Sequence, residues 1–318
     1  MGRGERQRET GAAGPVVPEQ GAPDSGARAT PPRAPAVPAA REPESGRGPG
    51  SDFSLHAIPG VDVKHANAAR MYDYALNGDH NFKIDREVAD QVFAVMPSGP
   101  AVARSNRAFL RRAVEFCVDE GIDQFLDLGS GIPTRGNTHE IAQVRNPDAR
   151  VVYVDNEPVA AAHTRQLLQG NSNAAMVQAD VRDPAAVLNA DPTRELLDFS
   201  RPVAVLMVAV LHYVSDEDGI EDMLAAYRDR CSRGSFLVVS HTTQDHLPDA
   251  ARALREVLAK SGTEVTHRDH AGVRAVFDGW RLVEPGVVWT PQWRGPRSEP
   301  GDPAPEESET WCGVAELI

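Results

Sequence analysis

Three aspartates close apolar runs in this chain: Asp127 in FLDLGSG, Asp155 in VVYVDN and Asp180 in MVQADV. A carboxylate at a strand tip accepts hydrogen bonds from hydroxyl and amino groups or faces a cation. The first acid runs into Gly129-Ser130-Gly131. Glycine lets a backbone adopt positive φ and pass close to a ligand. A fourth apolar run, VAVLMVAVLHYV, carries Ala209, Val210, His212 and Tyr213 at its end. An imidazole titrates near neutrality, so His212 is either a general base or a hydrogen-bonded wall of a pocket. Tyr213 reads as packing.

The turn narrows the choice of ligand. A G-x-G-x-x-G dinucleotide fingerprint fails at Thr134, and no G-x-x-x-x-G-K-[ST] phosphate loop is present. Asp127, two residues before Gly129, would repel a diphosphate but suits a cation. S-adenosylmethionine carries an ammonium and a sulfonium and no phosphate, so the charge favours it over NAD. Asp155 is placed for the ribose hydroxyls, a role shared with NAD enzymes. Asp180 is placed for the adenine amino group, with the Val181 backbone beside it. The structural alternative for each acid is an N-cap of the following helix, and that is the reading for Asp183 before Pro184. No H-E-x-x-H or similar spacing occurs and no metal site is expected. His241, His246, His267 and His270 read as surface residues.

These residues need a scaffold of alternating elements. QFLDLG, RVVYVD, AAMVQAD, PVAVLMVAVLHYV and SFLVVSH read as strands, each followed by a helical pattern. Near-continuous apolar strands alternating with helices predict a Rossmann-like, doubly wound α/β fold. Two late strands, WRLVEPGVVW and WCGVAELI, complete an expected seven-stranded, mostly parallel sheet. Upstream, VKHANAARMYDYALNG, DREVADQVFAV and SNRAFLRRAVEFCVDEG have helical spacing, the last stopped by Gly121. The expected division is a tail over 1–52, a helical cap or lid over 53–120, and a cofactor-binding domain over 121–318 with a mobile loop near 294–309.

The tail is rich in Pro, Gly, Ala and Arg and cannot bury enough apolar surface to offset ordering entropy, so it is expected to be disordered. The 318-residue chain is 41% hydrophobic and 25% charged, with net charge −13, which argues against nucleic acid or an anionic membrane as the main partner. Three scattered cysteines point to a reducing, cytoplasmic compartment, and no apolar run reaches the roughly 20 residues of a membrane span.

The segments ARMYDYALNGDHNF, RSNRAFLRRAVEF, FLDLGSGIPTRGNTHEIAQ, VVYVDNEPVAAAH, ADVRDP and VLMVAVLHYV are similar to the class I S-adenosylmethionine-dependent methyltransferases. More narrowly, they resemble a bacterial S-adenosyl methyltransferase family once known only as a domain of unknown function. The SGIPT and NTHE blocks are specific to that family, and Pro133 stands where the wider class often has a third glycine. The resemblance runs from about residue 60 to the end. It implies that Asp127, Gly129, Ser130 and Gly131 hold the methionine end of the cofactor. It also implies Asp155 and Asn156 at the ribose, Asp180 and Val181 at adenine, and Ala209 to His212 near the methyl group. By the same resemblance Arg70, Tyr72, Asp73, Asn77, Asp79, Asn81 and Phe82 form a lid. On their own these residues equally read as packed tyrosines with solvated charges.

The expected activity is methyl transfer from S-adenosylmethionine to an acceptor, most simply a small molecule, with His212 or Tyr72 as base where the acceptor must lose a proton. A cofactor-binding protein without turnover and an NAD-linked oxidoreductase are the alternatives.

Overall fold

A computed structural model describes residues 58–134, 136–243, 245, 253–254, 256–258, 264–296 and 304–318. The expected disordered tail, His246, residues 297–303 of the expected mobile loop and most of the helix expected over 248–262 lie outside the described residues.

The helical segment opens with α1 (Ala68–Ala75), α2 (Lys83–Val95) and α3 (Gly99–Asp119). Asn67 caps α1 by accepting the Ala69 N–H at 2.8 Å. The Asp85 carboxylate accepts the Phe82 N–H at 2.7 Å as α2 begins, and the Asn67 N–H at 2.9 Å. α3 ends where the sequence predicts, with Gly121 in the left-handed region at φ +90°.

Strands β1 (Gln124–Leu128), β2 (Arg150–Asp155), β3 (Ala174–Gln178), β4 (Ala204–Val208) and β5 (Phe236–Thr242) lie parallel in the order β3-β2-β1-β4-β5. Phe125 sits opposite both Val151 and Ala204, so β1 lies between β2 and β4. The chain builds outward on one side of β1 and then returns to its other side. Such a reversal leaves a crevice beyond the carboxyl ends of β1 and β4, where doubly wound sheets bind ligands.

Helices α4 (Thr138–Arg145), α5 (Pro158–Leu167), α6 (Pro184–Asn189), α7 (Asp191–Leu196) and α8 (Ile220–Arg230) connect the strands. α7, DPTREL, is an addition to the helices read from sequence. Side chains alternate across the sheet. Phe125, Val151, Leu206 and Val238 pack on one face with Phe109, Val114 and Phe116 of α3 and with Trp293. Leu126, Val152, Val205 and Leu237 pack on the other with Tyr227, Val273 and Phe277. The apolar stripe of α3 therefore shares its core with β1, across the boundary placed at residue 120.

Two strands differ from expectation. The fourth run ends at Val208, because Ala209 adopts φ +57° and Leu211–Tyr213 form a 3₁₀ turn. The run WRLVEPGVVW yields two short pieces, β6 (Arg281–Leu282) and β7 (Val288–Trp289), since Pro285 has no N–H to donate and Gly286 turns at φ +87°. Both pair with β8 (Thr310–Glu316), which runs antiparallel to β5, so the mostly parallel sheet counts eight strands. No helix among the described residues is long and apolar enough to cross a membrane.

Candidate active site

The glycine turn after β1 is held from beneath. The N–H groups of Gly129 and Ser130 donate to the Val154 carbonyl at 2.8 and 3.0 Å, and that of Gly131 donates to Asp155 Oδ2 at 2.7 Å. Gly129 and Gly131 take φ of +71° and +67°. A Cβ on Gly129 would lie 2.3 Å from Val210 Cγ2, so a side chain there would push against the end of β4, whereas Gly131 faces open space. All three amides of the turn are spent inside the protein.

The acids gather around this turn with different environments. Asp127 is buried and accepts the Thr138 hydroxyl at 2.7 Å. Burial pushes its pKa up to about 6, and nearby Asp155 acts in the same direction. Asp155 is also buried and its carboxyl is raised by burial, although its second oxygen accepts the Glu157 N–H at 2.9 Å. Glu157, not Asp155, caps α5. Asp180 is half-buried and held below the usual carboxylate range by Arg182, whose Nη2 and Nε donate at 2.7 and 3.0 Å. Asn156 Nδ2 reaches the same carboxylate at 3.3 Å. Asp183 accepts the Ala186 N–H at 2.9 Å and caps α6, as its place before Pro184 predicts.

At the end of β4, the Ala209 N–H donates to the Ser240 hydroxyl oxygen at 2.9 Å. Ser240 donates to Asn106 Oδ1 at 2.6 Å, Asn106 Nδ2 donates to the Tyr72 hydroxyl at 3.0 Å, and Tyr72 donates to the Ala103 carbonyl at 3.1 Å. This chain ties α1 and α3 to the strained residue that closes β4. Burial raises the Tyr72 phenol above its ordinary range.

His212 is buried, with Nδ1 lacking a hydrogen-bond partner among the described residues. Burial first, then His241, His267 and Arg268, hold its pKa well below 6.5, so the imidazole is neutral. His241 is fully buried in β5, which corrects the surface reading of that residue. Its Nδ1 lies 2.7 Å from the Thr242 carbonyl, so it carries the proton, and Nε2 accepts from Arg268 Nη1 at 3.1 Å. A polar residue inside an apolar strand is legible only once Arg268 is seen beside it.

A cavity of about 1330 Å³ opens over these residues. Asp127, Gly129, Ser130, Gly131, Asp155, Asn156, Asp180, Val181, Ala209, Val210, His212 and Tyr72 all line it. Of the seven residues implied as a lid, only Tyr72 does so. Arg70 is buried instead, donating to Asp85 at 2.9 Å and to Glu157 at 3.0 Å. Asp73 and Asn81 pin the loop after α1, where Asn81 Nδ2 donates to Asp73 Oδ2 at 2.9 Å.

Comparison with known proteins places this geometry in a family. A family model described as S-adenosyl methyltransferase matches residues 55–317. The chain belongs to the S-adenosyl methyltransferase family. Its solved relatives include a candidate methyltransferase from Thermobifida fusca YX, 40% identical, which covers 83% of this chain and 99% of that one with a TM-score of 0.78. They also include a DUF574 family protein from Streptomyces avermitilis MA-4680, 35% identical, covering 81% and 99% with a TM-score of 0.78. A search of curated proteins found no match. The methyl donor of the family is S-adenosylmethionine, and neither the NAD-linked nor the non-catalytic alternative gains support from these relatives.

In this member of the family several polar residues of the site escape sequence reading. Thr138 on Asp127 lies within the quoted NTHE block, and Asn106 is a polar residue on the apolar stripe formed by Ala103, Leu110 and Ala113. Ser240 and Glu309 carry no comparable signal, since each reaches the site through pairing of distant strands.

Proposed function

We propose that this chain transfers the methyl group of S-adenosylmethionine to a small-molecule acceptor and releases S-adenosylhomocysteine. The supporting observation is the state of the glycine turn. Its three amide groups already serve Val154 and Asp155, so none remains to hold a diphosphate, while Asp127 is a buried carboxyl that a cation would relieve. The Ser130 hydroxyl, buried and without a partner among the described residues, adds a polar contact for the amino-acid end of the cofactor.

On this reading Asp127, Gly129, Ser130 and Gly131 hold the methionine end. Asp155 and Asn156 take the ribose, Asp180 and Val181 the adenine, and Ala209 and Val210 face the methyl group. When bound, the cofactor supplies a methyl on a sulfonium, whose C–S bond breaks as the acceptor bond forms. The residues then hold donor and acceptor in line and exclude water. Neutral His212 at the cavity wall takes the proton from an acceptor that must lose one. Tyr72 is a positioning residue: its own proton is committed to Ala103 and its raised pKa keeps the phenol neutral.

Calorimetry with S-adenosylmethionine, S-adenosylhomocysteine and NAD tests the reading. The first two bind and NAD does not. Asp155→Ala weakens both by roughly tenfold to a hundredfold, the size of one hydrogen bond to a charged group. Uptake of NAD in preference to either sulfur ligand overturns it.

A further inference from the structure

The cavity is large enough for more than one ligand. Single-ligand pockets span roughly 300–1,000 Å³, and this one reaches about 1330 Å³. Its polar part lies at β1, β2 and β3, where the cofactor is assigned. The remainder runs along α1, α2 and α3, where half-buried Met71, Val92, Phe93, Met96 and Val102 form an apolar wall.

At the far end of that wall stands Glu309, immediately before β8 and 6% exposed. Its backbone carbonyl accepts the Thr243 N–H at 2.9 Å, and its Oε1 accepts the Ser98 hydroxyl at 2.8 Å. Oε2 is buried without a partner among the described residues. The backbone carrying it is in the left-handed region, at φ +48°, a conformation that costs a non-glycine residue energy. Thr310 pairs with Thr242 of β5, and β5 pairs with β4. Val208, the last residue of β4, is level with Ser240 and Cys312, so Glu309 lies two strand spacings to the side and three residues further along, roughly 14 Å away.

The charge around the cavity is mostly negative. Arg107 and Arg182 are the arginines lining it among the described residues, no described lysine does, and Arg182 is engaged by Asp180 and Asp218. A phosphate or carboxylate on the acceptor would meet surplus negative charge, whereas a cation meets a desolvated carboxylate with a spare oxygen.

Resting on the methyltransferase reading above, we propose that the acceptor is a small, mostly apolar molecule bearing a cationic nitrogen, with its apolar body against Met71, Phe93 and Met96 and its cation on Glu309. A protonated nitrogen has no lone pair to attack with, and Glu309 lies away from β4. The nitrogen is thus the anchor, and a second group of the same molecule is the nucleophile.

The test is calorimetry on the full-length protein saturated with S-adenosylhomocysteine, titrated with n-alkylamines from hexylamine to decylamine and with alkanoates of equal length. Amines bind, more tightly as the chain lengthens, and alkanoates do not. Glu309→Gln, which keeps an oxygen for Ser98, weakens amine binding about tenfold or more and leaves S-adenosylhomocysteine affinity unchanged. Equal binding of amines and alkanoates, no amine binding, or amine binding indifferent to Glu309→Gln overturns the proposal. Failure of the wild-type protein to bind S-adenosylhomocysteine would instead strike the reading on which it rests.

Discussion

Asp127 shows how a site residue works against the fold that holds it. Its folded pKa, about 6, lies above the ordinary value of a carboxyl, 3.8. The folded chain thus binds that proton more tightly than the unfolded chain. The resulting contribution to stability is complete below the unfolded value and is lost as pH rises through about 6. Asp127→Asn, which keeps an oxygen for Thr138, should stabilise the cofactor-free protein at pH 7.5 by about 2 kcal/mol, or roughly 5 °C in melting temperature. The same variant should bind S-adenosylmethionine at least tenfold more weakly, since the cation loses its carboxylate. Differential scanning calorimetry and isothermal titration measure the two effects. A cation binds the ionised form, so wild-type affinity should rise with pH through about 6 and then level off. Titrations from pH 5 to pH 8 check this, and a flat profile would remove Asp127 from the cofactor contacts.

Helices and strands meet in this site through buried polar chains whose cost appears when a link is cut. Asn106→Leu would take the acceptor from the Ser240 hydroxyl and remove one donor to Tyr72, which keeps its bond to Ala103. One buried hydroxyl proton left without an acceptor costs about 1–3 kcal/mol. Because Ser240 also receives the Ala209 N–H, kcat should fall more than the KM for cofactor changes. Arg70 is a harsher case, since among the described residues it alone bridges Asp85 and Glu157, with both partners buried. Arg70→Met leaves two carboxylates uncompensated and should destabilise the protein by about 3–5 kcal/mol, read by chemical denaturation. The reading of Arg70 and Asp73 as solvated charges failed for the same reason: both are buried, and charged residues in a helical segment read as solvated until their long-range partners are known.

The whole molecule sets the boundary of what folding requires. The described residues, from 58 onward, belong to one compact unit, and residues 1–57 lie outside the described structure. The tail's composition offers too little apolar surface to offset the entropy of ordering it. Removal of residues 1–52 should therefore leave melting temperature within about 2 °C and cofactor affinity within about twofold. A larger change in either, measured side by side with the intact chain, would show that the tail docks on the body.

The sequence alone determined the α/β alternation, the glycine turn and the three acids at strand tips. Each is a local signal: an apolar run has a length, a glycine marks a turn, and an acid after a strand has a fixed place in a β-α unit. Tertiary structure alone decided which oxygens of those acids are spent, that His241 is buried rather than exposed, and that Glu309 reaches the cavity wall. These depend on partners such as Asn106 and Ser240, or Ser98 and Glu309, far apart in the chain. Hydrogen bonding and desolvation act between neighbours in space, and only the folded sheet order makes those residues neighbours.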